Sequence, residues 1–168
     1  RGIIEHTKYI HVYNNWLLGN DEEVRKAKSR LNENYNHKFS LDSTFADESK
    51  YIYKLRTLAA TEESDAFYKL VIRAPKFKGN EFEDEFYFIQ GVFLFQQGHF
   101  AEAEPYFAKL KNSNNWRNKV NSLGYLLDIY LVTDTTKEMA EQLIEEIEDS
   151  DYQKLIFRSN DLEKKYRL

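Results

Sequence analysis

The chain has 168 residues, of which 42% are hydrophobic and 15% aromatic, enough apolar material for a packed core, so wholesale disorder is not expected. Its formal net charge of −4 argues against a nucleic-acid binder, for which a basic surplus is expected. The absence of cysteine excludes disulfides, thiol catalysis and thiolate metal sites.

The chain opens at Arg1 without an initiator methionine and shows no secretory signal. We therefore expect a trimmed fragment or a mature chain, and a cytoplasmic location. A removed signal or a preceding domain stays an open alternative. No apolar run approaches the roughly 20 residues that a membrane-spanning helix requires, so no span is expected.

Helical spacing of apolar residues organises the first half of the chain. Residues 3–18 predict one helix, which ends at Gly19, and a narrow apolar stripe after Asn20 predicts a second. Residues 32–42 are polar and rich in asparagine, which is typical of a loop.

A third helix is expected from about Phe45 to Ala60, and a turn near Thr61 leads to a fourth. The fourth helix is expected to end before Pro75, because the residue that precedes a proline disfavours the helical conformation. Residues 76–79 then form a connector.

The stretch 85–110 predicts two helices that fold on each other at Gly98-His99. In the second of them, apolar residues recur three or four positions apart and so share one face. They are Phe100, Ala103, Phe107 and Leu110. Pro105 is expected just past the first turn of that helix, where a proline costs little.

Three further helices are expected in the second half of the chain. A polar turn at 111–115 precedes a helix over 116–132, and Thr135 and Glu138 begin the next. A last helix spans 151–166. Strand-like alternation is absent over any convincing length, so the fold class is all-α with about nine helices.

An internal repeat appears when the small or apolar residues of the second helices are aligned, namely Val24, Ala66, Ala103 and Ala140. Their spacings are 42, 37 and 37 residues. One such hairpin cannot bury its own apolar face, whereas stacked hairpins bury a continuous core. The spacing therefore predicts an array of helical hairpins.

The stretch around the turn at Gly98 resembles a tetratricopeptide repeat. The places of that pattern are held by Tyr87, Gly91, Leu94, Gly98, Phe100, Ala103, Phe107 and Leu110. Gln90 stands where the pattern has leucine, and Asn115 where it has a closing proline. The fourth unit matches in part through Leu123-Gly124.

The resemblance implies a right-handed superhelix of about four antiparallel hairpins in a single domain, 1–168. The hairpins are expected at approximately 3–35, 45–74, 81–112 and 116–149, with a C-terminal helix at 151–166 that caps the array or occupies its groove. A different all-α hairpin array or a bundle stays the alternative.

In tetratricopeptide arrays the first helix of every hairpin lines a concave groove. The resemblance places groove side chains at Tyr9, Tyr13, Trp16, Tyr51, Phe88, Val92, Phe95 and Tyr125. The alternative is that these side chains are core between hairpins. The family's carboxylate clamp requires lysine, asparagine and arginine at first-helix places, so an apolar or aromatic client segment suits this groove better. Here those places hold Tyr9, Tyr13, Tyr51, Leu55, Phe88 and Val92.

Nothing in the sequence predicts catalysis, a cofactor or a metal. His6 and His11 are five residues apart and so do not share a helix face, and the acidic cluster at 81–85 complements a helix dipole. The basic stretches at 25–30 and 164–167 have no aromatic stacking platform beside them, so nucleic acid is not an expected partner.

The sequence therefore predicts a non-enzymatic protein–protein interaction scaffold: an adaptor, an assembly factor or a secretion-type chaperone that binds a protein or peptide client. The alternative is a peptide-sensing regulatory domain of a larger transcriptional regulator. Self-association into a homo-oligomer also stays open.

Overall fold

The computed structural model describes residues 11–28, 48–132 and 137–148. All regular structure in these ranges is helical, which confirms the all-α class. The helices are α1 (11–17), α2 (Asp21–Lys28), α3 (Glu48–Ala60), α4 (Ser64–Ile72), α5 (Asn80–Gln96), α6 (Phe100–Leu110), α7 (Trp116–Val132) and α8 (Lys137–Glu148). The helix predicted at 151–166 lies outside the described residues.

The chain divides into two compact units, Arg1–Ile89 and Gln90–Leu168, and the division falls within α5. In the first unit α3 pairs with α4, and in the second α6 packs on α7 and α7 on α8. The apolar stripe predicted for α6 is buried at Ala103, Phe107 and Leu110. The single domain predicted for 1–168 stays a prediction.

The start of α7 is set by a local hydrogen-bonding residue. The Oδ1 atom of Asn115 accepts the N–H groups of Arg117 at 3.1 Å and Asn118 at 3.4 Å. These N–H groups have no partner within the helix, and asparagine is among the best residues for satisfying them. The helix therefore begins at Trp116, as its sequence predicts.

The turn between α5 and α6 is closed by two backbone hydrogen bonds. The N–H of His99 donates to the carbonyl of Leu94, and the N–H of Gly98 donates to that of Phe95, both at 3.0 Å. Gly98 has a φ of 81°, in the left-handed region that a glycine adopts at little cost. This pattern is a Schellman motif, one of the common ends of an α-helix.

The same pair of bonds closes the turns after α1 and α3. At Gly19, with a φ of 69°, the N–H of Asn20 donates to the carbonyl of Asn15 at 3.0 Å. After α3, the N–H of Glu63 donates to the carbonyl of Leu58 at 3.0 Å. In all three turns the next helix begins two residues after the residue of positive φ.

Glu62 is the residue of positive φ in the second of these turns, with a φ of 58°. We expect Glu62→Gly to raise the free energy of unfolding by about 0.5–1 kcal/mol, because glycine removes the left-handed strain of an L-residue. Urea unfolding of the two proteins measures the change.

Gly98→Ala is the matched control, because it introduces at an equivalent position the strain that Glu62→Gly removes. It should lower the free energy of unfolding by about 1 kcal/mol. Two variants that shift in the same direction would contradict this account of the turns.

Helices α5 and α6 approach closely at Gly91. A Cβ atom built on Gly91 would lie 2.9 Å from Cε1 of Phe107 and 3.1 Å from Cβ of Tyr106. Phe107 is fully buried, so its ring has little room to move away. Gly124, which matches Gly91 in the repeat alignment, has no atom within 4 Å of such a Cβ.

We therefore expect opposite results from two glycine-to-alanine changes in helix interiors. Gly91→Ala should lower the free energy of unfolding by about 1–3 kcal/mol, because the methyl group overpacks the α5–α6 contact. Gly124→Ala should raise it by up to about 1 kcal/mol through helix propensity alone. Chemical denaturation tests both, and a stable Gly91→Ala variant would refute the close approach.

Candidate functional site

Most side chains predicted to line a groove are buried. Tyr13, Trp16, Tyr51, Phe88 and Val92 have exposed fractions between 0% and 9%. Phe95 and Tyr125 are half-buried, and Tyr9 lies outside the described residues. In this conformation a partner reaches little of the five buried side chains, and the binding role of the whole set stays a prediction.

In the first unit, polar side chains from two helices meet at a carboxylate of a third helix. Arg56 of α3 donates to Oε1 of Glu85 through Nε at 2.9 Å and through Nη2 at 2.6 Å. The Tyr13 hydroxyl donates to the same oxygen at 3.3 Å. We call Tyr13, Arg56 and Glu85 the Arg56–Glu85 cluster.

The tyrosine ring also contributes to this cluster. The guanidinium carbon of Arg56 lies 5.3 Å from the centre of the Tyr13 ring, within range of a cation–π interaction. The Arg56 side chain is 34% exposed and that of Glu85 only 16%, so water screens this ion pair less than one on the open surface. The cluster therefore joins α1, α3 and α5 and includes the hydroxyl of Tyr13, a residue that was predicted to line a groove.

Sequence reasoning missed Arg56 and attributed Glu85 to the helix dipole. Glu85 lies beyond the first turn of α5, where the dipole effect has largely faded. That position was the available signal that Glu85 needs another partner. Nothing in the local pattern around Arg56 identifies it, because the two residues are far apart in the chain.

A double-mutant cycle on Arg56→Met and Glu85→Gln tests the strength of this pair. We expect each single change to cost about 1–3 kcal/mol of unfolding free energy, because it leaves a largely buried partner without its counter-charge. The double variant should cost less than the sum of the two singles.

Lys26→Met and Glu22→Gln form the control cycle. Their ion pair is exposed and spans one turn of α2, so its coupling should stay below about 0.5 kcal/mol. Equal couplings in the two cycles would show that the Arg56–Glu85 cluster contributes no more than an ordinary surface pair.

In the second unit, the two accessible side chains of the predicted set contact each other. The rings of Phe95 on α5 and Tyr125 on α7 lie 4.9 Å apart at an interplanar angle of 70°, an edge-to-face contact. Tyr125 also stacks on Phe107 at 4.7 Å and 7°. Phe100 lies against Phe95 at 5.1 Å.

The Phe95–Tyr125 pair therefore lies on a rigid, buried base and keeps part of its surface in solvent. Burial raises the pKa of the Tyr125 hydroxyl, and the negative charge of Asp128 raises it further. The exposed Asn121 lies one turn before Tyr125 on α7. Such a surface combines apolar ring faces with polar groups at its edge, as protein-binding sites often do.

Two further tyrosines are buried and donate hydrogen bonds. The Tyr51 hydroxyl donates to the carbonyl of Leu70 at 2.9 Å, and burial raises its pKa. The Tyr130 hydroxyl donates to Glu104 at 3.1 Å. Burial, with the charge of Glu104 and the hydrogen bond to it, raises the pKa of Tyr130 to about 12.

These raised pKa values predict a loss of stability at high pH. Each neutral tyrosine contributes fully to the free energy of unfolding below its unfolded pKa of about 10. That contribution is lost as the pH rises through the pKa of the folded state. For Tyr130 the loss falls between pH about 10 and about 12. Urea unfolding as a function of pH, with phenolate absorbance, measures it.

Tyr130→Phe removes one of these titrating groups. The free energy of unfolding of this variant should therefore decline less steeply with pH above about 10 than that of the wild type. An identical slope in both proteins would mean that Tyr130 does not titrate with the unfolding transition.

The described residues carry no group of three or more His, Asp and Glu side chains that is arranged to hold a metal ion. His99 is exposed, and its Nδ1 atom lies 3.0 Å from Oε1 of Glu102. Within the same ranges, no helix has the length and apolar character needed to cross a membrane.

Comparisons with known proteins identify no relative of this chain. No protein-family model matches the chain, and searches of curated proteins and of solved structures find no match.

Proposed function

We propose that this chain is a protein-interaction scaffold of the tetratricopeptide type that binds a peptide segment of a client protein. The observation that carries the proposal is the recurrence of one helix–turn–helix unit. Three turns, at Gly19, Glu62 and Gly98, share the same two backbone bonds and the same two-residue step to the next helix. Arrays of such hairpins commonly serve as binding surfaces.

The contact between α5 and α6 supports the same family. The pattern has a small residue in the first helix and an aromatic residue in the second, and here Gly91 lies against the ring of Phe107. The superhelical stacking of the hairpins is part of the proposal and of the same resemblance.

We place the client against the Phe95–Tyr125 pair. Both residues come from first helices of hairpins in the repeat alignment, and they are the members of the described predicted set that keep partial exposure. Aromatic rings on a rigid base lose little conformational entropy when they bind, so they are efficient anchors for an apolar peptide side chain.

Site-specific photo-crosslinking tests this placement without disturbing the core. A photoreactive amino acid is placed at Asn121 or Gln96, exposed positions beside the Phe95–Tyr125 pair, in cells that express the chain. We expect both positions to crosslink to one client protein, which mass spectrometry identifies together with the crosslinked segment.

The matched control is the same photoreactive residue at Ala108, which is also exposed but lies away from the buried face of α6. It should give no adduct with that client. Phe95→Leu should then weaken binding of the identified segment roughly fivefold or more, because it replaces an aromatic anchor. Equal crosslinking at Ala108, or none at Asn121 and Gln96, would refute the placement.

A further inference from the structure

One face of α4 exposes apolar and basic side chains together. Ile72 is 84% exposed and Tyr68 43%, and their spacing of four residues puts them on the same side of the helix. Lys69 lies beside them and is also exposed. Phe67 and Leu70 lie on the opposite side of α4 and are buried. The helix therefore has a separate buried apolar side, to which Ile72 does not belong.

The charge of this region is opposite to that of the whole chain. From Asp65 to Glu81 the sequence has no other acidic residue, whereas it has four basic ones: Lys69, Arg73, Lys76 and Lys78. All four are exposed. The side chains of Lys69 and Lys76 form no ion pair with any described carboxylate. We call Tyr68, Ile72 and these four residues the basic face.

The connector that carries Lys76 and Lys78 is held against the rest of the first unit. The backbone N–H of Lys78 donates to the carboxylate of Glu48 at 2.8 Å, and the Phe77 ring lies 5.3 Å from that of Phe86. The basic side chains of the connector therefore extend from an anchored backbone beside the C-terminal end of α4.

The size of the apolar part decides which partner suits the basic face. A stable protein interface buries about 800 Å² on each side around a central group of anchors, and two apolar side chains do not provide this. Docking on an anionic bilayer requires less apolar surface, because each basic residue near the bilayer increases partitioning onto it about fivefold. Aromatic and aliphatic side chains add to it by entering the headgroup region.

We propose that the basic face docks the protein peripherally on an anionic membrane surface. Ile72 and Tyr68 enter the headgroup region, and Lys69, Arg73 and Lys76 face the lipid phosphates and carboxylates. Tyrosine suits this place because its ring is apolar and its hydroxyl stays wet. The basic face shares no residue with the Phe95–Tyr125 pair, and its proposed role does not depend on the proposed client.

Vesicle co-sedimentation of the full chain tests the proposal. The probes are phosphatidylcholine vesicles with about 30% phosphatidylserine and vesicles of phosphatidylcholine alone, each at low and high salt. We expect binding to the anionic vesicles at low salt, a marked loss at high salt, and little binding to the neutral vesicles.

Three variants locate the contact. Lys69→Gln combined with Lys76→Gln should lower partitioning about 25-fold, and Ile72→Ser about fivefold. Leu18→Ser is the matched control, because Leu18 is 73% exposed but is followed by the acidic residues of α2. It should bind as the wild type does. All these side chains are exposed, so circular dichroism should show unchanged folding.

Absence of binding to the anionic vesicles would overturn the proposal. Binding that survives in Ile72→Ser and in the double lysine variant would place the membrane contact elsewhere and overturn it as well. A polyglutamate peptide serves as the competing probe. If the peptide binds through Lys69 and Lys76 while the vesicles do not, the basic face takes an acidic protein segment instead of a membrane.

Discussion

The second unit depends on the contacts that the ring of Phe107 makes. One edge lies against α5 at Gly91, where even a methyl group would come within 2.9 Å of it, and one face stacks on Tyr125 of α7 at 4.7 Å. A single side chain of α6 thus sets the distance to both neighbouring helices. Because cores are packed to crystal-like density, a change on either side of the ring is transmitted to the other.

The half-exposed Phe95–Tyr125 pair follows from this arrangement. Tyr125 is held in place by the stacked Phe107 ring, and Phe95 meets its edge from the same helix that carries Gly91. The pair is therefore an extension of the core to the surface. Such a surface is preorganised, which would reduce the entropy lost in the proposed association with a client.

The first unit uses charge where the second uses ring packing. Three donors from Tyr13 and Arg56 converge on one oxygen of Glu85, and the Arg56 guanidinium covers the Tyr13 ring. A carboxylate of low exposure requires such compensation, because desolvation of an unpaired charge costs several kcal/mol. The predicted role of Tyr13 as a groove residue overlooked this internal use of its hydroxyl.

The sequence by itself determined the local features of the helices and turns. The apolar period of α6, the turn glycines at 19 and 98, and the polar turn before α7 act over a few residues, so their positions are evident without a fold. The turn at Glu62 was also expected, although its positive φ was not, because only the packing of α3 and α4 compels a glutamate into that conformation.

Tertiary structure alone decided which aromatic side chains are buried and which remain accessible. Tyr51 and Tyr125 were both predicted to line a groove, yet Tyr51 is fully buried and bonds to Leu70 while Tyr125 is only half-buried. Likewise, Gly91 and Gly124 fit one pattern, but only Gly91 meets a neighbouring ring. Exposure and close approach depend on residues distant in the chain, and the period of a single helix contains no information about them.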